Sequence, residues 1–172
     1  MLAALAPFAA SLEASCYCGA VRLCVDMARP PLSVSICHCA SCRRLTGAPA
    51  LANLMLPTEA LQLLPRKDKA GDAAGDALPT DALVALQTSK HVTRNRCAQC
   101  HSPVFATLGT GRVVVPLSLF APPLPEAWKP QHHLYYDRRV LDAGDELPKY
   151  RTHFGSVLWE GEPPEAAPSA KK

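Results

Sequence analysis

Alternation is the first signal along this chain. In GAVRLCVD, residues 19–26, Val21, Leu23 and Val25 alternate with Arg22, Cys24 and Asp26. A period of two sends successive side chains to opposite faces, so the segment predicts a strand with one buried face. ARPP (28–31) turns the chain, and LSVSI (32–36) and ALANLML (50–56) predict two more strands. LVALQTS (83–89), HVTRNRC (91–97), VFATL (104–108) and RVVVPLSL (112–119) continue the series. LGTGR (108–112) supplies hairpin-like turn chemistry between the last two. HHLYYD (132–137) predicts a further strand, and APPLPEAWKPQ (121–131) an extended loop. A single helical turn is expected at residues 40–46. The pattern predicts an all-β fold.

Length and composition refine this. A chain of 172 residues is most simply one domain. We place it at residues 15–158, after a disordered lead-in (1–14) and before a disordered tail (159–172). The Gly-, Asp- and Lys-rich stretch 65–81 reads as a flexible insertion within it. Seventeen prolines disfavour long helices and favour short strands and turns. The net charge of +3 is too mild, and its Arg pairs too scattered, for a nucleic-acid face. No apolar run is long enough to span a membrane. MLAALAPFAASLEAS has no Lys or Arg before its apolar run and does not read as an export signal. The expected location is therefore cytoplasmic, a reducing compartment where clustered cysteines serve metal rather than disulfides.

Eight cysteines dominate the chemistry. Zinc takes four ligands in a tetrahedron, and a pair of cysteines on a tight turn supplies half of them. Cys16/Cys18 and Cys97/Cys100 together make a closed four-thiolate set, the kind that stabilises a fold. Cys37, Cys39 and Cys42, in ICHCASCRRLTGAP, are one ligand short. Three thiolates leave the fourth position open, which a catalytic metal requires. Alternatively, His38, His101 or another residue completes a second structural site. CAQCH (97–101) also matches the pattern of covalent haem attachment. That reading leaves Cys16 and Cys18 without partners.

SCYCGAVR, CHCASCRRLTGA and CAQC, in that order, resemble the glutathione-dependent formaldehyde-activating enzyme family, which also includes centromere protein V. The resemblance runs from about Ser15 to Phe154 and includes HHLYY and LPKY. It implies a β-tent fold of short antiparallel sheets with zinc-knuckle turns, and two zinc ions per chain. By position, Cys16, Cys18, Cys97 and Cys100 hold the structural zinc, and Cys37, Cys39 and Cys42 the catalytic one. The implied activity is that of a carbon–sulfur lyase or synthase on a thiol–aldehyde adduct such as S-hydroxymethylglutathione. The implied partner is a small glutathione-derived thiol adduct. The same scaffold also carries a different function, a non-catalytic zinc-stabilised binding module.

The chain departs from the family pattern at His101, where the family has glycine. Glycine there suits a left-handed turn, and histidine in that conformation is expected to carry strain of about 1 kcal/mol. Arg43, next to the triplet, can pair a glutathione carboxylate bidentately, while Arg44 reads as solvated charge. His132 and His133 lie on a strand that the resemblance places near the site. Cys24 is expected to be an ordinary free thiol on the Arg22 face.

Overall fold

The structure is a computed structural model that describes residues 8–65 and 80–161. The strands in chain order are β1 (Ser11–Ser15), β2 (Arg22–Asp26), β3 (Ser33–Cys37), β4 (Leu51–Pro57), β5 (Leu61–Leu64), β6 (Leu83–Ser89), β7 (Val92–Cys97), β8 (Pro103–Leu108), β9 (Arg112–Pro116) and β10 (His132–Leu134). Among the described residues α1 (Ala40–Thr46) is the one α-helix, so the fold is all-β as expected. By internal contacts the chain divides into two compact units, residues 1–34 with 53–129 and residues 35–52 with 130–172.

In the first unit β1, β2 and β5 form an antiparallel sheet with β2 in the middle. Val21, Leu23 and Val25 are fully buried, as their alternation requires. Cys24 corrects the expectation of an outward face, because it too is buried. Its cross-strand neighbours Glu13 and Gln62 are long enough to cover a small thiol. Burial raises its pKa, with the charge of Glu13 adding to the effect. β1 corrects the lead-in as well, since residues 11–14 are paired with β2 along their whole length. SLEAS has little strand propensity of its own, and the ladder to β2 together with burial of Ala14 supplies the order. β5 is another addition: four residues are too few to show a period.

The same unit holds an antiparallel run in the order β4-β9-β8-β7-β6. Leu54, Leu56, Val104, Val113 and Val115 form its core, with the aliphatic composition that a chain of 6% aromatics must use. Two tight connections place the outer cysteine pairs. The turn from β1 to β2 carries Cys16 and Cys18, and the turn from β7 to β8 carries Cys100, with Cys97 as the last residue of β7.

In the second unit β10 runs parallel to β3, pairing His132–Leu134 with Ser35–Cys37. This departs from the expected antiparallel pattern. The chain between the two strands is far longer than a hairpin, and a parallel pair needs such a crossover. β10 stops at Leu134, short of the predicted Asp137, because Tyr135 is left-handed (φ 55°) and a 3-10 turn follows. Trp159, assigned to the tail by sequence, packs on the buried Tyr136 ring at 5.1 Å. The remaining parts of the lead-in (1–7), the insertion (66–79) and the tail (162–172) lie outside the described residues.

Candidate metal centres

Cys16, Cys18, Cys97 and Cys100 come together from two turns that are some eighty residues apart in sequence. Their four sulfurs lie within 4.8 Å of one another. Cys18 Sγ is 3.6 Å from Cys16 Sγ and 3.7 Å from Cys97 Sγ. A zinc–sulfur bond of about 2.3 Å puts the corners of a tetrahedron about 3.8 Å apart, so the spacing fits a four-thiolate ion. All eight cysteines are free, so none of the four is spent on a disulfide.

Backbone geometry supports three of these thiols. Gly19 is left-handed (φ 77°) and its N–H donates to the Cys16 carbonyl, closing the first turn. The N–H of Val21 donates to Cys16 Sγ at 3.3 Å, and that of Gln99 to Cys97 Sγ at 3.4 Å. His101 adopts φ 60°, the left-handed conformation expected where the family has glycine. Its N–H donates to the Cys97 carbonyl at 3.0 Å. Burial pushes the Cys16 thiol up to about 12, with the neighbouring thiols adding and the Val21 N–H opposing. At Cys100 burial also works upward, but hydrogen bonds from the Ser102 hydroxyl and the backbone outweigh it and hold the thiol at about 5. Binding of a divalent cation would displace the protons these thiols carry. The haem reading of CAQCH loses its ground, because both of its thiols face Cys16 and Cys18.

The second cluster is local. Cys37 ends β3, Cys39 caps α1, and Cys42 lies within the helix. Their sulfurs are again within 4.8 Å of one another. The Cys42 N–H donates to Cys39 Sγ at 3.4 Å, and Gly47 (φ 71°) ends the helix by donating to the Arg43 carbonyl. Hydrogen bonds with Cys39 and Cys42, then burial, push the Cys37 thiol up. Cys37 and Cys42 are buried and Cys39 is half-buried. No histidine among the described residues joins the three thiols, so neither His38 nor His101 closes this set. A fit to zinc here uses three corners of the tetrahedron.

His38 instead turns to a buried polar network with little trace in the sequence. Its Nε2 lies 2.8 Å from Nδ1 of His133, whose Nε2 lies 3.0 Å from both oxygens of Asp145. Lys149 also reaches Asp145 Oδ1, at 3.3 Å. Burial works to raise the Asp145 carboxyl, but these partners win and hold it below its usual value. Burial lowers His38 to about 4, with nearby His133, Arg139 and Arg43 adding to the effect, so the ring is neutral near pH 7. The Tyr136 ring meets His38, His133 and Trp159 edge-on, and Arg139 stacks on Tyr136 and Trp159 at 4.6 and 4.4 Å. His133 and Tyr136 fall in HHLYYD and His38 in the cysteine triplet, both of which carried a sequence signal, whereas Asp145 and Arg139 sit where no period or motif was read. His132 packs between Tyr150 and Phe154. Arg43 spends its Nε on the His38 carbonyl at 3.0 Å.

The family model for the glutathione-dependent formaldehyde-activating enzyme matches residues 11–138, most of the chain and all seven clustered cysteines. The chain belongs to this family. Membership ties it to glutathione and formaldehyde chemistry, and its two cysteine clusters can each hold a metal ion. No curated protein matches the sequence. A crystal structure of a Rhodobacter sphaeroides protein, a structural-genomics target, is similar with 18% identity and a TM-score of 0.47, covering 69% of this chain and 95% of that one. Among the described residues no helix is long and apolar enough to cross a membrane.

Proposed function

We propose that this protein is a zinc-dependent carbon–sulfur lyase, or synthase in the reverse direction, acting on a thiol–aldehyde adduct such as S-hydroxymethylglutathione. The observation that carries the reading is the three-thiol knuckle, which occurs together with a separate four-thiol cage in a chain of this family. Cys37, Cys39 and Cys42 would hold the zinc, which would favour a substrate sulfur as thiolate, since three thiolates would already give the site a net negative charge and weaken its Lewis acidity.

In the lyase direction the carbon–sulfur bond breaks, its electron pair stays on sulfur, and the adduct's hydroxyl loses a proton as the carbonyl forms. The products are thiol and aldehyde. The protein's task is to hold the adduct and steady the departing sulfur. Arg43 keeps two guanidinium nitrogens beyond the Nε that serves His38, and these match a glutathione carboxylate. The Tyr135 phenol is raised first by burial and then by the charge of Cys37, Cys39 and Cys42, so it stays protonated and can donate a hydrogen bond to the adduct. Its left-handed backbone is held by an N–H bond to the Thr152 carbonyl.

Metal content and turnover tested together decide the matter. Wild type should carry two zinc ions and cleave the glutathione–formaldehyde adduct. Cys39→Ser should retain one ion and lose turnover. Wild type with two ions and no activity on any thiol–aldehyde adduct returns the protein to the class of zinc-stabilised binding modules.

A further inference from the structure

His38 sits between two of the three knuckle thiols and is held from three sides. Its N–H donates to the Leu134 carbonyl at 2.9 Å, its carbonyl accepts from Arg43 Nε at 3.0 Å, and its ring meets His133. The protons of the ring network follow from chemistry. Asp145 is a carboxylate and only accepts, so Nε2 of His133 carries a proton. A neutral His133 then offers a lone pair at Nδ1, and Nε2 of His38 must donate to it. Nδ1 of His38 is left as a bare lone pair, and it is the one buried side-chain polar atom with no hydrogen-bond partner among the described residues. The reverse order would make His133 an imidazolium and put a buried N–H, without an acceptor, on His38. An orphaned N–H is the rarer arrangement in proteins.

We infer that Asp145, His133 and His38 form a positioning chain for the three-thiol knuckle, in which both rings are fixed as Nε2–H tautomers and the orientation of His38 sets the spacing of Cys37 and Cys39. The inference rests on the metal reading of that knuckle. Asp145 is its outer anchor and stands partly in solvent, while His133 is almost fully buried. The chain acts as outer hydrogen bonds do around other metal sites: it fixes what the ligand-bearing backbone can do without touching the ion.

Two measurements test it. In ¹⁵N-labelled protein, long-range proton–nitrogen correlation of the imidazoles should show Nε2–H tautomers for both His38 and His133, with and without zinc. A His38 that carries its proton on Nδ1, or on both nitrogens, overturns the chain. Cobalt(II), added alone to metal-free protein, reads the two clusters through their thiolate charge-transfer bands. Asp145→Ala should weaken cobalt binding at the three-thiol knuckle about tenfold and leave the four-thiol cage unchanged, and Asp145→Glu should recover part of the loss. Unchanged affinity at the knuckle overturns the positioning role, as does an equal loss at both clusters, which would mark general weakening of the fold. A wild-type protein that takes only one cobalt ion overturns the metal reading itself, whatever the tautomers show.

Discussion

The two thiol clusters are built in opposite ways. The cage gathers Cys16 and Cys18 from one turn and Cys97 and Cys100 from another, so it forms only once the first unit has folded. The knuckle takes three thiols from six consecutive residues, so β3 and α1 nearly suffice to make it. An ion in the cage closes a long loop and contributes directly to folding. An ion in the knuckle would close almost none, and under the proposed function it would contribute chemistry at the missing corner. Under the proposed function, ligand count and ligand separation divide the labour: distant and complete for stability, local and incomplete for reaction.

Loss of a cage thiol should do the most damage. Cys97 is fully buried and ends β7, so Cys97→Ser leaves three thiols and a polar atom in the core. It should cost at least about 3 kcal/mol, a fall of roughly 10 °C in melting temperature, or abolish the folded state. Thermal unfolding followed by circular dichroism, with zinc present, reads this directly. Cys39→Ser should instead move the melting temperature by no more than about 3 °C while turnover drops at least about a hundredfold. If the two substitutions lower the melting temperature equally, the division between the clusters is wrong.

The next effect is smaller and sharpens the knuckle alone. Arg43→Lys keeps a positive charge but loses the planar fork. We expect KM for the glutathione adduct to rise about fivefold with kcat nearly unchanged, the signature of lost uniform binding. An adduct of a thiol without carboxylates should show no such change, and steady-state kinetics on the two adducts side by side make the comparison. Equal effects on both would move Arg43 from substrate binding to support of His38.

Sequence made the cysteines legible because knuckle spacing is a local property: Cys-x-Cys and Cys-x-x-Cys mean the same on any fold. The strands with clear alternation were legible for the same reason, and so was the short helix that carries Cys42. What escaped depends on pairing between distant segments. β1 has its order from β2, and Cys24 its cover from Glu13 and Gln62. The link from Asp145 through His133 to His38 exists because β10 lies parallel to β3 in one register, with Leu134 beside Cys37. No local pattern encodes that register.

At His101 the family resemblance foretold a backbone angle, and the structure kept the strain. The position after Cys100 is left-handed, with φ 60°, and its N–H donates to the Cys97 carbonyl. A β-carbon in this conformation costs about 1 kcal/mol, while glycine returns part of the gain through the freedom of its unfolded chain. His101→Gly should therefore raise the melting temperature by only about 1–2 °C, leaving zinc content and turnover unchanged. His101→Val should lower it instead, since a branched β-carbon tolerates the left-handed region least. The two substitutions moving in opposite directions would place the strain in the backbone of the cage. A loss of stability in His101→Gly would mean that the imidazole itself supports the turn, and the cage would then depend on a side chain outside its four sulfurs.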